Sequence, residues 1–335
     1  MQRLAFAVGT VVGAAGHFLM RLPGLKWKAA RYTAKFLIYV IPACASRAPD
    51  VPRVLGLSFS EINKILIIWL TNPMATGSLP ALNTAFRLII MPQGIIGQAL
   101  GIAAFPTLSA LAARGEKAEM RQIFADSLRI LFFLGLPFSV LFALLASPLA
   151  SLLFNWGFAG DEGISFVSFG LLFYALGLVP LLALEVVART FYALSDTLTP
   201  VLAGGVQIAI MWLLSLWFSQ TVFPQLGWLP LGGLALGFSL SNVIEVLLLL
   251  WLLRRKLGGI QGYSLLNGLW RMGVATLLMA GGMWLVRGWL ADTAVLIQLV
   301  LVGGVGGVIY VLACAGLRLD ELTRFWQYGH RRLNR

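Results

Sequence analysis

The chain has 335 residues, 59% of them hydrophobic and only 11% charged, with a mean hydropathy of +0.87. Soluble domains are about 45–50% apolar and about 25% charged, so a water-soluble enzyme or binding module is excluded. The net charge of +12 does not mark a nucleic-acid binder either, because the cations stand in the loops between apolar blocks.

Those blocks run for about 17–25 residues, enough to cross a ~30 Å hydrocarbon core at ~1.5 Å per residue. Strict alternation in segments of roughly ten residues, the mark of a transmembrane β-barrel, is absent. The expected fold is an all-α polytopic membrane protein of nine spans. They cover residues 4–20, 54–72, 85–110, 127–154, 163–188, 199–219, 229–253, 270–290 and 294–316. The third to fifth are long enough to tilt or to project beyond the hydrocarbon.

Charge in the connections alternates along the chain. Arg21, Lys26, Lys28, Arg31 and Lys35 follow the first span, and the connection after the second, TNPMATGSLPALN, has no charge. Arg114, Lys117 and Arg121 follow the third, whereas NWGFAGDEG after the fourth holds only Asp161 and Glu162. The fifth runs into ARTFYALSDTLTP, and SQTVFPQLGWLP after the sixth is uncharged. Arg254, Arg255 and Lys256 follow the seventh, and the tail holds Arg318, Arg324, Arg331, Arg332 and Arg335. By the positive-inside rule the C-terminus is expected in the cytoplasm, and the basic connections to touch anionic lipid. An odd number of spans then puts Met1 outside, so the start reads as the middle of a longer protein. Cys44, Cys314, His17 and His330 are scattered. No set has metal-ligand spacing, and no cofactor is implied.

A charge inside the membrane costs ~2.5 kcal/mol or more and usually faces a partner or a water-filled cavity. Glu61 and Lys64, three apart, can neutralise each other, as can Glu185 and Arg189, four apart in the favourable order; Arg189 can also snorkel. Glu245 fits either a protonated packing residue or a proton-coupling site. Arg87 has no acid within four residues. It can snorkel to the outer headgroups or face a central cavity and bind an anion, for which a guanidinium fork suits phosphate. Its span contains Gly94 and the close-packing pair Gly97 and Gly101. Pro92 and Pro106 remove backbone donors and can kink it, as transporters do where backbone lines a cavity.

These residues carry a resemblance. RLIIMPQGIIGQALGIAAFPTLSALAARGE (87–116) is similar to the signature helix of the MurJ/MviN lipid II flippase family, within the multidrug/oligosaccharidyl-lipid/polysaccharide exporter superfamily. The family pattern there is approximately A-x-R-L-x-x-x-P-x-G-x-x-G-x-A-[IL]-x-T-x-x-x-P-x-L-S. PRVLGLSFSEIN (52–63) resembles the start of the family's seventh helix, and LASLLFNWGFAGDE (149–162) its L-L-F-x-x-G-x-F turn. ARTFYALSDTLTPV (188–201) resembles its R-x-F-Y-A-L-x-D-T-x-T-P-V loop, and FLMRLPGLK (18–26) the end of its sixth helix.

The resemblance implies that the nine spans correspond to helices six to fourteen of a fourteen-helix fold. Residues 1–50 would be the last helix of the N-terminal lobe and a basic linker, and 51–260 a six-helix C-terminal lobe. Residues 261–316 would be two extra helices forming a groove for a lipid tail, and 317–335 a cytoplasmic tail. The implied activity is passage of lipid II, the undecaprenyl-linked peptidoglycan precursor, across the bacterial inner membrane for cell-wall synthesis. That is the work of a transporter, not an enzyme. Arg87 would contact the pyrophosphate, with Gln93 and Gln98 as further substrate contacts. Pro92, Gly94, Gly97, Gly101, Pro106, Glu185, Arg189 and Asp196 would shape or gate the path. The acids that some relatives carry on the third and second spans are Ile90 and Ile67 here, so no cation site carries over. The first five helices of the family are expected to be absent, and an N-terminal lobe in trans is an expected partner. A polysaccharide or drug exporter of the superfamily, and a fragment that inserts without transporting, remain alternatives. A polyprenyl-phosphate enzyme would need an Asp-rich or His/Asp/Glu loop cluster, and the cytoplasmic loops have none.

Overall fold

A computed structural model describes residues 51–154, 160–290, 293–319 and 321, with backbone alone for 51–57, 60 and 154. The expected span at 4–20, the linker up to residue 50 and the chain beyond 321 lie outside the described residues. The elements are α1 (Val51–Thr71), α2 (Ser78–Pro92), a π-helical turn (Gln93–Gln98), α3 (Ala99–Arg114), α4 (Lys117–Leu144) and α5 (Ala146–Phe154). They continue with α6 (Gly160–Ala175), α7 (Leu178–Ala193), α8 (Leu198–Trp217) with a second π-helical turn (Phe218–Val222), and α9 (Phe223–Gln225). The last three are α10 (Pro230–Leu257), α11 (Gly262–Trp289) and α12 (Val295–Gly316).

Among the described residues six helices are long and apolar enough to cross a membrane, or seven if the bent pair α6–α7 makes one span. The chain is a multi-pass membrane protein. Helix α1, where the second span was expected, carries Glu61 and Lys64 and is not among the six. Those two side chains pair at 2.8 Å on an exposed face.

The core lies where α4, α6, α7 and α10 meet α2 and α3, around Phe124, Leu128, Leu171, Leu178, Leu182 and Ile89. Side chains on the outside are apolar too, as in Leu277, Val300 and Leu312, because the surrounding solvent is hydrocarbon and burial of Leu alone does not hold helices together. Close backbone approach supplies much of the grip. A Cβ on Gly237 of α10 would lie 2.8 Å from the Ser215 backbone nitrogen of α8, so only glycine fits. A second core joins α11 and α12 to α4, through Met272, Met279, Met283, Tyr310 and Phe133. Tyr310 donates from its hydroxyl to the Phe133 carbonyl at 2.7 Å, and Arg129 of α4 pairs with Glu321 at 2.8 Å.

Two expected spans are broken. The fourth, 127–154, is not one helix: α4 stops at Leu144 and α5 begins at Ala146. Arg287 of α11 donates from Nη1 to the Leu144 carbonyl at 2.6 Å, meeting one of the acceptors a helix end leaves open. The fifth, 163–188, bends by 48° between α6 and α7. Pro180 has no backbone donor for the carbonyl four residues back. Gly177 at the bend sits where a Cβ would be 2.6 Å from Ser239 Oγ of α10. The third span is longer than expected, running from Ser78 to Arg114 through the π-helical turn.

Candidate functional site

Pro92 ends α2, and the chain passes directly into the π-helical turn. Its missing N–H and its ring disturb the regular ladder, and Gly94 and Gly97 tolerate the wider turn. π-turns inside α-helices are rare and mostly single-turn bulges, frequent at functional sites. The extra residue in the turn changes which side chains share a face on either side of it.

On one face the turn meets α7. Gln93 donates from Nε2 to Glu185 Oε1 at 3.0 Å. Glu185 Oε2 pairs with Arg189 Nη1, which also donates to the Glu185 backbone carbonyl at 2.7 Å. The two side chains are only 18% and 21% exposed. A Cβ on Gly97 would lie 3.2 Å from Glu185 Cγ, and one on Gly101 would lie 2.5 Å from Arg189 Nη1. Both positions leave the width that the charged side chains of α7 occupy. Beside this polar cluster a 440 Å³ cavity is lined by Ile102, Phe105, Leu184, Glu185, Arg189 and Tyr192.

The other face of the long helix is exposed. It runs from Asn83 and Arg87 through Met91 and Ile95 to Gln98, Ile102 and Phe105. Arg87 stands at its head, exposed, with no ion pair or hydrogen bond to any described residue. Next to it a 510 Å³ cavity is lined by Asn63, Lys64, Ile67, Asn83, Phe86 and Tyr174 among others, with Asn63 Oδ1 buried and unpaired. Sequence reading passed over Asn63 and Asn83. Their signal was two amides set one span apart in otherwise apolar runs.

The structure thus gathers Gln93, Gly97, Gly101, Glu185 and Arg189, and leaves Arg87 and Gln98 on an open face whose far end, Ile102 and Phe105, borders the 440 Å³ cavity beside that cluster. Pro92 is buried at the turn, Pro106 is exposed on α3, and Gly94 has open space beside it. Glu245 is buried on α10, with Oε1 3.7 Å from where a Cβ on Gly204 of α8 would stand.

Asp196 belongs to neither face. In the connection from α7 to α8 it accepts from the Thr199 backbone N–H at 3.0 Å and the Thr199 hydroxyl at 2.6 Å, and it pairs with Lys256 at the end of α10. Burial pushes its carboxyl up, but the hydrogen bonds from Lys256 and Thr199 together outweigh burial and hold it below the usual carboxylate range. A depressed folded value means that this group's stabilisation is complete above the ordinary carboxylate pKa and fades as pH falls through the folded one. Asp196→Asn is therefore expected to lower thermal stability at pH 7 and to flatten the loss between about pH 4 and lower pH, read by melting in detergent across pH.

A family model described as lipid II flippase MurJ matches residues 1–303. The chain is 31% identical over 261 residues to lipid II flippase MurJ of Burkholderia cenocepacia, covering 75% of this chain and 48% of that protein. It is 26% identical over 344 residues to the probable lipid II flippase MurJ of Vibrio cholerae, covering 95% and 61%. The chain thus spans about half the length of the curated relatives it matches. A solved structure of lipid II flippase MurJ in an inward closed conformation superposes with TM-score 0.68 at 20% identity, over 87% of this chain and 57% of that one. An outward-facing multidrug transporter of the MATE family superposes at 0.53 and 17%, over 83% of this chain and 66% of that one.

Proposed function

The chain belongs to the lipid II flippase MurJ family, and on that premise we propose that it carries the undecaprenyl-linked peptidoglycan precursor from the inner to the outer leaflet of the bacterial cytoplasmic membrane. The observation that carries this reading is Arg87, an exposed cation without a partner among the described residues, at the head of an exposed stripe on a helix with a π-turn. An unneutralised guanidinium in an apolar wall costs free energy unless an anion visits it, and the precursor's pyrophosphate is such an anion.

Arg87 takes the pyrophosphate through parallel N–H donors, and Gln98, with Asn83 beside it, offers further polar contact along the path. Gln93, Glu185 and Arg189 work on the other face. They tie the π-turn to α7, so that a shift of the long helix carries α7 with it. The chemistry is binding and displacement, with no bond made or broken. In this reading residues 51–260 form the lobe that lines the path, and α11 and α12 (within 261–316) offer a groove to the polyprenyl tail. Residues 1–50 link to an N-terminal lobe, and the C-terminal segment 317–335 lies on the cytoplasmic side, where its basic residues meet anionic lipid.

The test is growth and precursor surfacing in bacteria depleted of their own flippase. This chain is expressed alone or together with the N-terminal half of a curated relative. Rescue in either arm, with precursor becoming reachable from outside, is the expected result. Full membrane insertion in both arms with no precursor reaching the outer leaflet overturns the reading.

A further inference from the structure

The end of the bundle opposite Arg254, Arg255 and Lys256 holds a third cavity with polar lining. There α4 stops, α5 and α6 begin, and α11 ends. A space of 580 Å³ is lined by Ser147, Asp161, Ser165, Ser168 and Arg287, with Leu144 and Phe169 among its apolar wall. The volume is that of an ordinary small-ligand pocket, about 300–1,000 Å³. It lies away from the Arg87 face, and neither Arg287 nor Asp161 has a part in the transport reading.

The charges in this cavity are arranged as two poles. Arg287 spends one N–H group on the Leu144 carbonyl, and its remaining donors have no partner among the described residues. Asp161 lies in the first turn of α6, and Ile164 and Ser165 of the following turn line the same cavity, so the serine hydroxyls stand on the Arg287 side of an apolar wall. Asp161 supplies the opposite pole, exposed and without an ion pair among the described residues. The carbonyl end of α4 favours a cation beside it. Trp284 and Trp289 of α11, both strongly exposed, border a neighbouring recess that also contains Arg287. Tryptophans so placed mark the depth of the lipid headgroups.

A lone anion would leave Asp161 unpaired, and a lone cation would leave Arg287 unpaired. A ligand carrying both charges a few bonds apart satisfies each, and the apolar wall and exposed aromatic rim accept acyl chains. We propose that this cavity is a resident-lipid site that holds the headgroup of a zwitterionic phospholipid, with its phosphate on Arg287 and the serines and its ammonium on Asp161. By wedging between α4, α6 and α11, the lipid would brace α11 against the broken end of α4.

The test is native mass spectrometry of the delipidated full chain titrated with phosphatidylethanolamine, phosphatidylglycerol or glycerophosphoethanolamine. Phosphatidylethanolamine is expected to bind with a preference over phosphatidylglycerol, and the water-soluble headgroup weakly, which separates a membrane lipid from a free phosphate compound. Arg287→Ala is expected to weaken phosphatidylethanolamine by about tenfold or more, the loss of a charge-assisted contact to phosphate. Asp161→Asn is expected to erase the preference while leaving phosphatidylglycerol binding intact. Arg287 also caps Leu144, so Ser165→Leu, which fills the cavity and spares that cap, must likewise abolish binding. Equal binding of both lipids by the parent chain, or undiminished phosphatidylethanolamine binding in Ser165→Leu, overturns the proposal. Because no readout depends on transport, it fails or stands separately from the flippase reading.

Discussion

Arg87→Ala is expected to slow surfacing of the lipid-linked precursor by about a hundredfold or more while leaving the fold intact. A guanidinium bound to a phosphate through two parallel, charge-assisted hydrogen bonds gains about 1.5–3 kcal/mol from each, and each ~1.4 kcal/mol is a factor of ten. Arg87 touches no charged or hydrogen-bonding partner among the described residues, so its removal leaves nothing unsatisfied. Melting temperature in detergent should stay within the range of a neutral surface substitution, about 0.5 kcal/mol. Arg87→Lys restores charge but not the planar fork, so it is expected to regain part of the rate. The measurement is the fraction of precursor reachable by an enzyme added outside depleted cells, with each variant matched for membrane content. Parent-like surfacing in Arg87→Ala would remove the phosphate role.

Much of this molecule could be read from the sequence because hydrocarbon is an undemanding partner. A run such as VLIQLVLVGGVGGVIYVLACAG must be a helix in lipid, since no other single segment satisfies its own backbone there, and it is α12. Breaks inside apolar runs were legible only in part. LPFSVLFALLASPLA contains Pro148, which has no N–H for the Leu144 carbonyl four residues back, but nothing local says that a guanidinium 143 residues away donates to that carbonyl. The same limit hid the partner of Gln93, which lies 92 residues on.

The candidate site divides along similar lines. Local spacing was enough to pair Glu185 with Arg189 and Glu61 with Lys64, and to find no local partner for Arg87. It could not say which of Gln93 and Gln98 would meet a partner. Five residues apart, they stand about 140° apart on a regular helix, but the packing of α7, 92 residues on, decides that Gln93 is half-buried against Glu185 and Gln98 is exposed. Prolines and glycines announced a loosened helix but not the form of the loosening. Asp196, which the resemblance implies as a gating or structural residue, fastens the α7–α8 connection to the end of α10 through Thr199 and Lys256, a partner 60 residues on that local spacing does not reveal.

The largest effect on stability is expected at Glu185. Glu185→Ala strands the Arg189 guanidinium in a mostly buried position, beside Gly101 and the 440 Å³ cavity. Leaving one member of a buried ion pair without the other costs about 3–5 kcal/mol, more than the pair itself contributes. The same substitution removes the acceptor of Gln93, loosening the π-turn from α7. Melting in detergent is therefore expected to fall by an amount matching about 3 kcal/mol or more, and surfacing of precursor to fall with it. Glu185→Ala combined with Arg189→Leu removes the stranded charge and is expected to recover most of the stability. It should not recover transport, because Gln93 still has no partner and the long helix no longer moves with α7. Recovery of both together would mean that the pair serves packing alone, and a stable Glu185→Ala single variant would mean that water or lipid headgroups reach Arg189 freely.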